Sequence, residues 1–203
     1  MPGVWNVREY FDLSAEEYDR RSSTSLWNWQ RRRELKAVDE LLGHVEGLEV
    51  LDLGCGVGFY TRHCLRQGAD RVMAVDFSPS MVEQLPKERV DGVVADASEF
   101  SAGKTFPKIV CAGLIEFVAD PIGVLTNARK MAAPTGTMVC LVPPDNLAGR
   151  LYRLYHRRHG IAISLFSRQA FERSAHEAGW EIGKSEFVFP YSMAYQLHVA
   201  KAL

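Results

Sequence analysis

In "EVLDLGCGVGFYTRHCL" (residues 49–65) an apolar run is followed by three glycines at alternate positions, Gly54, Gly56 and Gly58. Asp52 stands two places before the first of them. A glycine turn between a strand and a helix is a device of nucleotide sites. Bare backbone permits tight geometry, and the helix N-terminus offers free N–H groups to a ligand. Turns also use glycine for structural reasons alone, so the neighbouring acids carry the discrimination. Asp76 closes the next apolar run, about 20 residues after Gly54, where dinucleotide sites keep an acid for a ribose hydroxyl. The dinucleotide glycine pattern GxGxxG is absent, because position 59 is Phe.

Asp52 argues against a phosphate beside that turn. A carboxylate there repels phosphate, whereas next to an ammonium or sulfonium it attracts. Asp96 closes a third apolar run and adds an acceptor suited to an adenine amino group. Ribose, adenine, a cationic amino group and a cationic sulfur are the parts of S-adenosyl-L-methionine. Three acids at three successive strand ends, on the face where open α/β sheets bind ligands, suit that molecule better than NAD. Strand-end aspartates also cap turns and helices, and for each acid that reading stays open.

Those residues need strands and helices to hold them. The runs 48–53, 71–76, 91–96, 108–113 and 136–143 read as strands, and their continuous β-branched character suits a parallel sheet buried on both faces. Ser78-Pro79 and Asp120-Pro121 each place a capping residue before a proline fit for a first helical position. Strand–helix alternation of this kind predicts an α/β fold with right-handed crossovers. A helix is expected over Ser167 to Ala178, ended by Gly179. The runs "WEIGKSEFVF" and "SMAYQLHVA" lie too close together for a parallel crossover and are expected to pair as an antiparallel hairpin at one sheet edge. Upstream of 48 the chain reads as helical, from the capping-box pattern Ser14 to Glu17 and from Leu35, Val38, Leu41 and Leu42 at helical spacing. The run Arg31, Arg32, Arg33 reads as a solvated helix face.

"VLDLGCGVGFYT", "VMAVDFSPSM", "VVADASEF" and "IVCAGLIEFVADP" resemble, in order and spacing, the motifs of class I S-adenosylmethionine-dependent methyltransferases, closest to their small-molecule branch of the methyltransferase 11/25 type. The resemblance runs from about 48 to 143. It implies a Rossmann-like, doubly wound seven-stranded sheet of order 3-2-1-4-5-7-6 with an antiparallel last strand and the cofactor across the strand C-termini. It implies one domain: 1–47 an N-terminal helical lid, 48–143 the cofactor-binding core, 144–166 a substrate-side insertion, and 167–203 a C-terminal helix with an antiparallel strand pair. Carried over residue by residue, the glycine turn (Gly54, Cys55, Gly56, Gly58) would lie against the methionine part. Asp52 would support the ammonium, directly or through water. Asp76 would take the ribose hydroxyls, with Phe77 and Met81 on adenine. Asp96 and Ala97 would address the adenine edge, and Ala112 or Gly113 would present backbone to the amino acid end. Residues 10–21 resemble the family's lid, in which Tyr18 would close over the cofactor. After "LIE" the family frequently shows histidine; this chain has Phe117, which removes one familiar base.

Methyl transfer from a sulfonium is an in-line displacement, and alignment alone supplies on the order of 7–11 kcal/mol. An oxygen or nitrogen acceptor must also lose a proton. His156 and His159, with Glu116 behind them, are the candidate bases, against the plainer reading of surface histidines on a basic helix. The segment 145–166 carries Arg150, Arg153, Arg157 and Arg158 beside a stripe of Leu147, Leu151, Leu154 and Tyr155. Three readings follow: a lid helix packing its stripe on the domain, a site for an anionic acceptor, or peripheral contact with a membrane surface. The acceptor expected is a small molecule with an apolar body and an acidic or phenolic group, such as a quinone precursor, tetrapyrrole, polyketide or other secondary metabolite. The rival from another class is a catalytically silent cofactor-binding partner or regulatory subunit.

Composition narrows the field. The chain has 203 residues, 47% hydrophobic and 24% charged, with 24 Lys plus Arg against 25 Asp plus Glu. Such a balance speaks against nucleic acid as a partner. No Pro-Pro-aromatic run follows the fourth strand and no Pro-Cys dipeptide occurs, which disfavours nucleic-acid amino- and carbon-methylating enzymes. Acids do not cluster near Asp120, so no metal is expected. Four cysteines form no CxxC pair, and no secretory signal or membrane-spanning run is visible, so reduced thiols in the cytoplasm are expected.

Overall fold

The computed structural model describes residues 25–200, with side chains from Trp29 onward. Its elements are α1 (Ser25–Leu42), β1 (Glu49–Leu53), α2 (Phe59–Arg66), β2 (Arg71–Asp76), α3 (Pro79–Glu83), β3 (Val90–Val94), β4 (Phe106–Ala112), a 3-10 turn (Ile115–Phe117), α4 (Pro121–Lys130), β5 (Ala132–Val142), α5 (Leu147–Arg158), α6 (Arg168–Glu177), β6 (Trp180–Val188) and β7 (Ser192–Val199). All seven strands form one sheet of order β3-β2-β1-β4-β5-β7-β6. The pairs among β1 to β5 are parallel, and β7 runs antiparallel to both β5 and β6. This is the expected doubly wound order.

Alternation along the strands divides the core between the two faces of the sheet. Leu51, Leu53, Ile109 and Cys111 pack with Val124 and Leu125 of α4 and Phe171 of α6. Val50, Val72, Val110 and Val139 pack on the opposite face with Val38 and Leu41 of α1 and Cys64 of α2. Asp52 has the parity of Val50, so its side chain points toward α2. Trp180 is fully buried at the start of β6 and donates its indole N–H to the Leu125 carbonyl at 2.8 Å, tying the hairpin to α4. Two helices begin on the expected caps, Ser78 and Asp120, and a third on Ser167; each of these side chains accepts a backbone N–H from the first turn.

Several strand boundaries differ from expectation, and β4 starts at Phe106 rather than Lys108. β5 starts at Ala132 rather than Gly136, because the β4–β5 register shifts between Phe106 and Lys108 and a bulge absorbs Pro134 and Gly136. β3 ends at Val94, leaving Asp96 in the following turn.

Candidate functional site

Gly54, Gly56 and Gly58 all take positive φ (71°, 52° and 85°), so the turn from β1 into α2 is a succession of left-handed backbone. A Cβ at Gly54 would lie 2.8 Å from Leu114 Cβ, and one at Gly58 would lie 2.6 Å from Leu85 Cδ2. A Cβ at Gly56 would meet nothing within 4 Å: its bare side faces the cleft. The Gly56 N–H donates to Asp76 Oδ2 at 2.9 Å, and the Ser78 N–H donates to Asp76 Oδ1 at 3.0 Å. Asp76 therefore joins the glycine turn to the start of α3.

A cleft of about 260 Å³ opens over the C-terminal ends of β1, β2 and β4. Of the residues expected at a cofactor, Gly54, Cys55, Gly56, Asp76, Phe77 and Met81 line it, as do Asp96, Ala97, Ala112 and Gly113. Two others do not. Gly58 sits one step back, as the residue before α2. Asp52 lies behind the turn, where its Oδ2 accepts from the Thr61 hydroxyl at 2.6 Å. Asp52 is therefore set back from the cleft wall, with the glycine turn between. Burial pushes its pKa up to about 7, Asp76 adds to the rise, and the Thr61 bond opposes it. Asp96 Oδ1 accepts both the N–H and the hydroxyl of Ser98, at 2.8 and 2.6 Å, so this acid does cap its own turn while lining the cleft. Tyr18 and the expected 10–21 lid lie outside the described residues.

Residues that motif reasoning left out complete the walls: Arg31 from α1, Phe59 and Tyr60 from α2, Leu114, Phe117 and Asp120. The Arg31 guanidinium stands over the Phe59 ring, 4.2 Å from its centroid, where the sequence suggested only a solvated face. The position that is Phe117 here is apolar wall.

Arg31, Tyr60, Ala112 and Gly113 also border a smaller chamber of about 100 Å³, which reaches toward β7. Glu116 lines it. Burial pushes the Glu116 carboxyl up to about 8, with a lesser push from the charge of Glu34, and its Oε2 has no hydrogen-bond partner. Glu34 is held by three donors from three elements: Gln30 Nε2 at 3.1 Å, Tyr60 Oη at 3.3 Å and Ser192 Oγ at 2.6 Å.

The two histidines offered as bases line neither cavity. His156 is buried among aromatic rings, with Tyr152 at 4.5 Å and Phe117 and Tyr155 each at 5.4 Å. Burial, then the charge of His159, lowers its pKa to about 4. His159 ends α5, exposed, with Nδ1 2.9 Å from the Tyr155 carbonyl oxygen. Neither is placed to take a proton in the cleft; of the three candidates only Glu116 reaches a cavity. The reading of α5 as a lid that packs its leucines on the domain is also corrected. Leu147, Leu151 and Leu154 are 77%, 59% and 42% exposed, because the helix turns its other side, with Tyr152 and His156, inward. Arg150 of α5 pairs with Asp145 at 3.0 Å.

All four cysteines are buried free thiols. Among the described residues no group of three His, Cys, Asp or Glu side chains could hold a metal ion, and no helix is long and apolar enough to cross a membrane.

Residues 26–184 match the model of a family described as a methyltransferase domain. A ubiquinone biosynthesis O-methyltransferase of Cereibacter sphaeroides is 36% identical over 103 residues, 47% of this chain and 41% of that protein. A demethylmenaquinone methyltransferase of Tropheryma whipplei is 29% identical over 163 residues, 74% of this chain and 65% of that protein. The chain thus spans less than two thirds of the length of either relative. Among solved structures, magnesium protoporphyrin IX methyltransferase from Synechocystis with bound SAH superposes with a TM-score of 0.75 at 17% identity, covering 96% of this chain and 98% of the other. At that identity the likeness is one of fold.

Proposed function

Because this chain belongs to the methyltransferase domain family, we propose that it transfers a methyl group from S-adenosyl-L-methionine to an oxygen or nitrogen of a small-molecule acceptor. The observation that carries this reading is the junction of two cavities. A cleft walled by the glycine turn, Asp76 and Ala112–Gly113 shares Arg31 and Tyr60 with a chamber holding a buried acid. One space suits a nucleoside and the other a reacting partner; a silent cofactor-binding module has no need of the second.

When bound, S-adenosyl-L-methionine supplies an electrophilic methyl group and leaves as S-adenosyl-L-homocysteine. Its fit rests on this chain's own atoms. The Asp76 carboxylate, held by the N–H groups of Gly56 and Ser78, is an acceptor-only group of the kind that suits ribose hydroxyls. Phe77 and Met81 offer apolar surface to adenine, and the Asp96–Ala97 turn offers polar edges. The bare side of Gly56 admits the amino acid tail, and ionised Asp52 supports its ammonium from behind the turn. Relatives named for ubiquinone and menaquinone pathways support a small-molecule acceptor. In this reading 48–143 is the cofactor core and 144–166 lies on the acceptor side. A second role follows for α5. Its exposed leucines beside Arg153, Arg157 and Arg158 suit peripheral contact with an anionic membrane surface.

Calorimetry with S-adenosyl-L-homocysteine and a methyl-transfer assay over an acceptor panel test the reading. The wild-type protein should bind the nucleoside, and Asp76→Ala should weaken binding at least tenfold, since charge-assisted hydrogen bonds are worth about 1.5–3 kcal/mol each. Unchanged affinity in Asp76→Ala refutes the cofactor assignment. Nucleoside binding with no transfer to any acceptor favours the silent-partner reading.

A further inference from the structure

We propose that the chamber beside Glu116 is an ammonium subsite, and that the acceptor is an amine-bearing small molecule anchored there as a cation. The inference rests on the methyltransferase reading above and deepens it.

Among the described residues, two side chains that line the chamber keep a buried oxygen without a partner. Gln30 and Glu116 are each 5% exposed, and Gln30 Oε1 and Glu116 Oε2 have no hydrogen-bond partner. The Gln30 amide cannot be turned to relieve this. Its Nε2 donates to Glu34 Oε1, and exchanging the two atoms would set oxygen against a carboxylate. Both side chains line the chamber, so a head group there that carries several N–H donors can answer them. Glu34, clamped from α1, α2 and β7, contributes a fixed carboxylate to the same wall.

The remaining walls suit a cation. Tyr60, Tyr152 and Tyr191 line the chamber, the last two stacked with centroids 6.1 Å apart, and electron-rich ring faces attract ammonium groups. Arg31 is the one positive side chain on the described wall, and its guanidinium stands over Phe59, which belongs to the main cleft. A space of about 100 Å³ takes a polar head group and not a ring system, so the body of the acceptor remains in the cleft. A phenol or carbonyl is the competing head group. Protonated Glu116 could donate to its oxygen, but a carbonyl leaves Gln30 Oε1 unanswered, and neither head group balances the charge of Glu34 in the same wall.

The distinction is measurable because burial pushes the Glu116 carboxyl up to about 8, so that it holds its proton at neutral pH. An ammonium beside it favours the ionised form and expels that proton. Titrating the full chain with benzylamine at pH 7 in buffers of different ionisation enthalpy should show binding with release of about one proton per amine. Benzyl alcohol and benzoate should bind at least tenfold more weakly, with no release. Glu116→Gln should weaken benzylamine tenfold or more and abolish proton release, while affinity for S-adenosyl-L-homocysteine stays within twofold. Gln30→Met, which removes the other orphaned acceptor, should weaken the amine and leave the release intact. Benzyl alcohol or benzoate binding as well as the amine, an amine that binds without release, or an amine that ignores both substitutions overturns the subsite. All titrations are run with and without the nucleoside. Amine binding retained in a protein that fails to bind S-adenosyl-L-homocysteine sinks the methyltransferase reading and leaves the subsite standing.

Discussion

Asp52→Asn tests whether a buried acid is kept behind the glycine turn at the expense of stability. Asp52 is 1% exposed, and burial is the main reason its pKa stands at about 7 rather than 3.8. With the folded pKa raised, the native protein holds a proton that the unfolded chain has already given up. That contribution is complete below about pH 4 and is lost as the pH rises through 7. At pH 5.5, about 1.5 pH units below the folded pKa, it is worth about 2 kcal/mol; by pH 8.5 it is gone. Asparagine has no such dependence, and its carbonyl can still accept from Thr61. The stability of Asp52→Asn relative to wild type should therefore rise by about 2 kcal/mol between pH 5.5 and pH 8.5, read from urea unfolding. Taking the difference isolates Asp52, because Glu116 loses stability in the same direction in both proteins. Saturating S-adenosyl-L-homocysteine at pH 8.5 should reverse the advantage, since its ammonium favours the ionised aspartate. A difference flat to within about 0.5 kcal/mol across that range refutes the burial argument.

Two further outcomes are expected around α5. His156 has its pKa lowered to about 4, so its contribution is present above pH 6.5 and lost as the pH falls from 6.5 toward 4. Relative to His156→Phe, wild type should lose about 2 kcal/mol between pH 6.5 and 4.5; a pH-independent difference would show that the imidazole protonates freely. Replacing Leu147 and Leu151 by serine should leave stability within about 0.5 kcal/mol of wild type, as both are exposed. The same substitutions should abolish co-sedimentation with phosphatidylglycerol vesicles, and a wild-type protein that fails to sediment with them excludes the membrane role.

The sheet was legible because apolar runs and local caps are short-range signals. The antiparallel edge and the caps at Ser78 and Asp120 followed from them, whereas the strand order came only from the resemblance to the methyltransferase family. The start of β5 was not legible: Pro134 and Gly136 read as a break, and only pairing with β4 turns that break into a bulge. The direction of Asp52 was within reach, since period-2 parity with Val50 sends it toward α2. The chamber was beyond reach, because it closes through contacts such as Ser192 to Glu34, separated by 158 residues. The stripe on α5 illustrates a different limit. Spacing identifies two faces of a helix and leaves open which one the domain covers, and here Tyr152 and His156, not the leucines, turn inward.

Acids are set against acids at two places along the cleft, and the arrangement has a common logic. The charge of Asp76 raises Asp52 beside the glycine turn, and that of Glu34 raises Glu116 in the chamber. Burying one carboxylate near another disfavours ionisation of both and stabilises no fold, so such pairs belong where a ligand relieves them. A cation in each place removes the repulsion and draws the raised acid back to its charged form. In the proposed function the cofactor's ammonium would play that part at the first place, and in the proposed subsite an amine on the acceptor would do so at the second. Burial pushes the Cys55 thiol up, and the charges of Asp52 and Asp76 add to the push, which keeps the sulfur at the turn protonated.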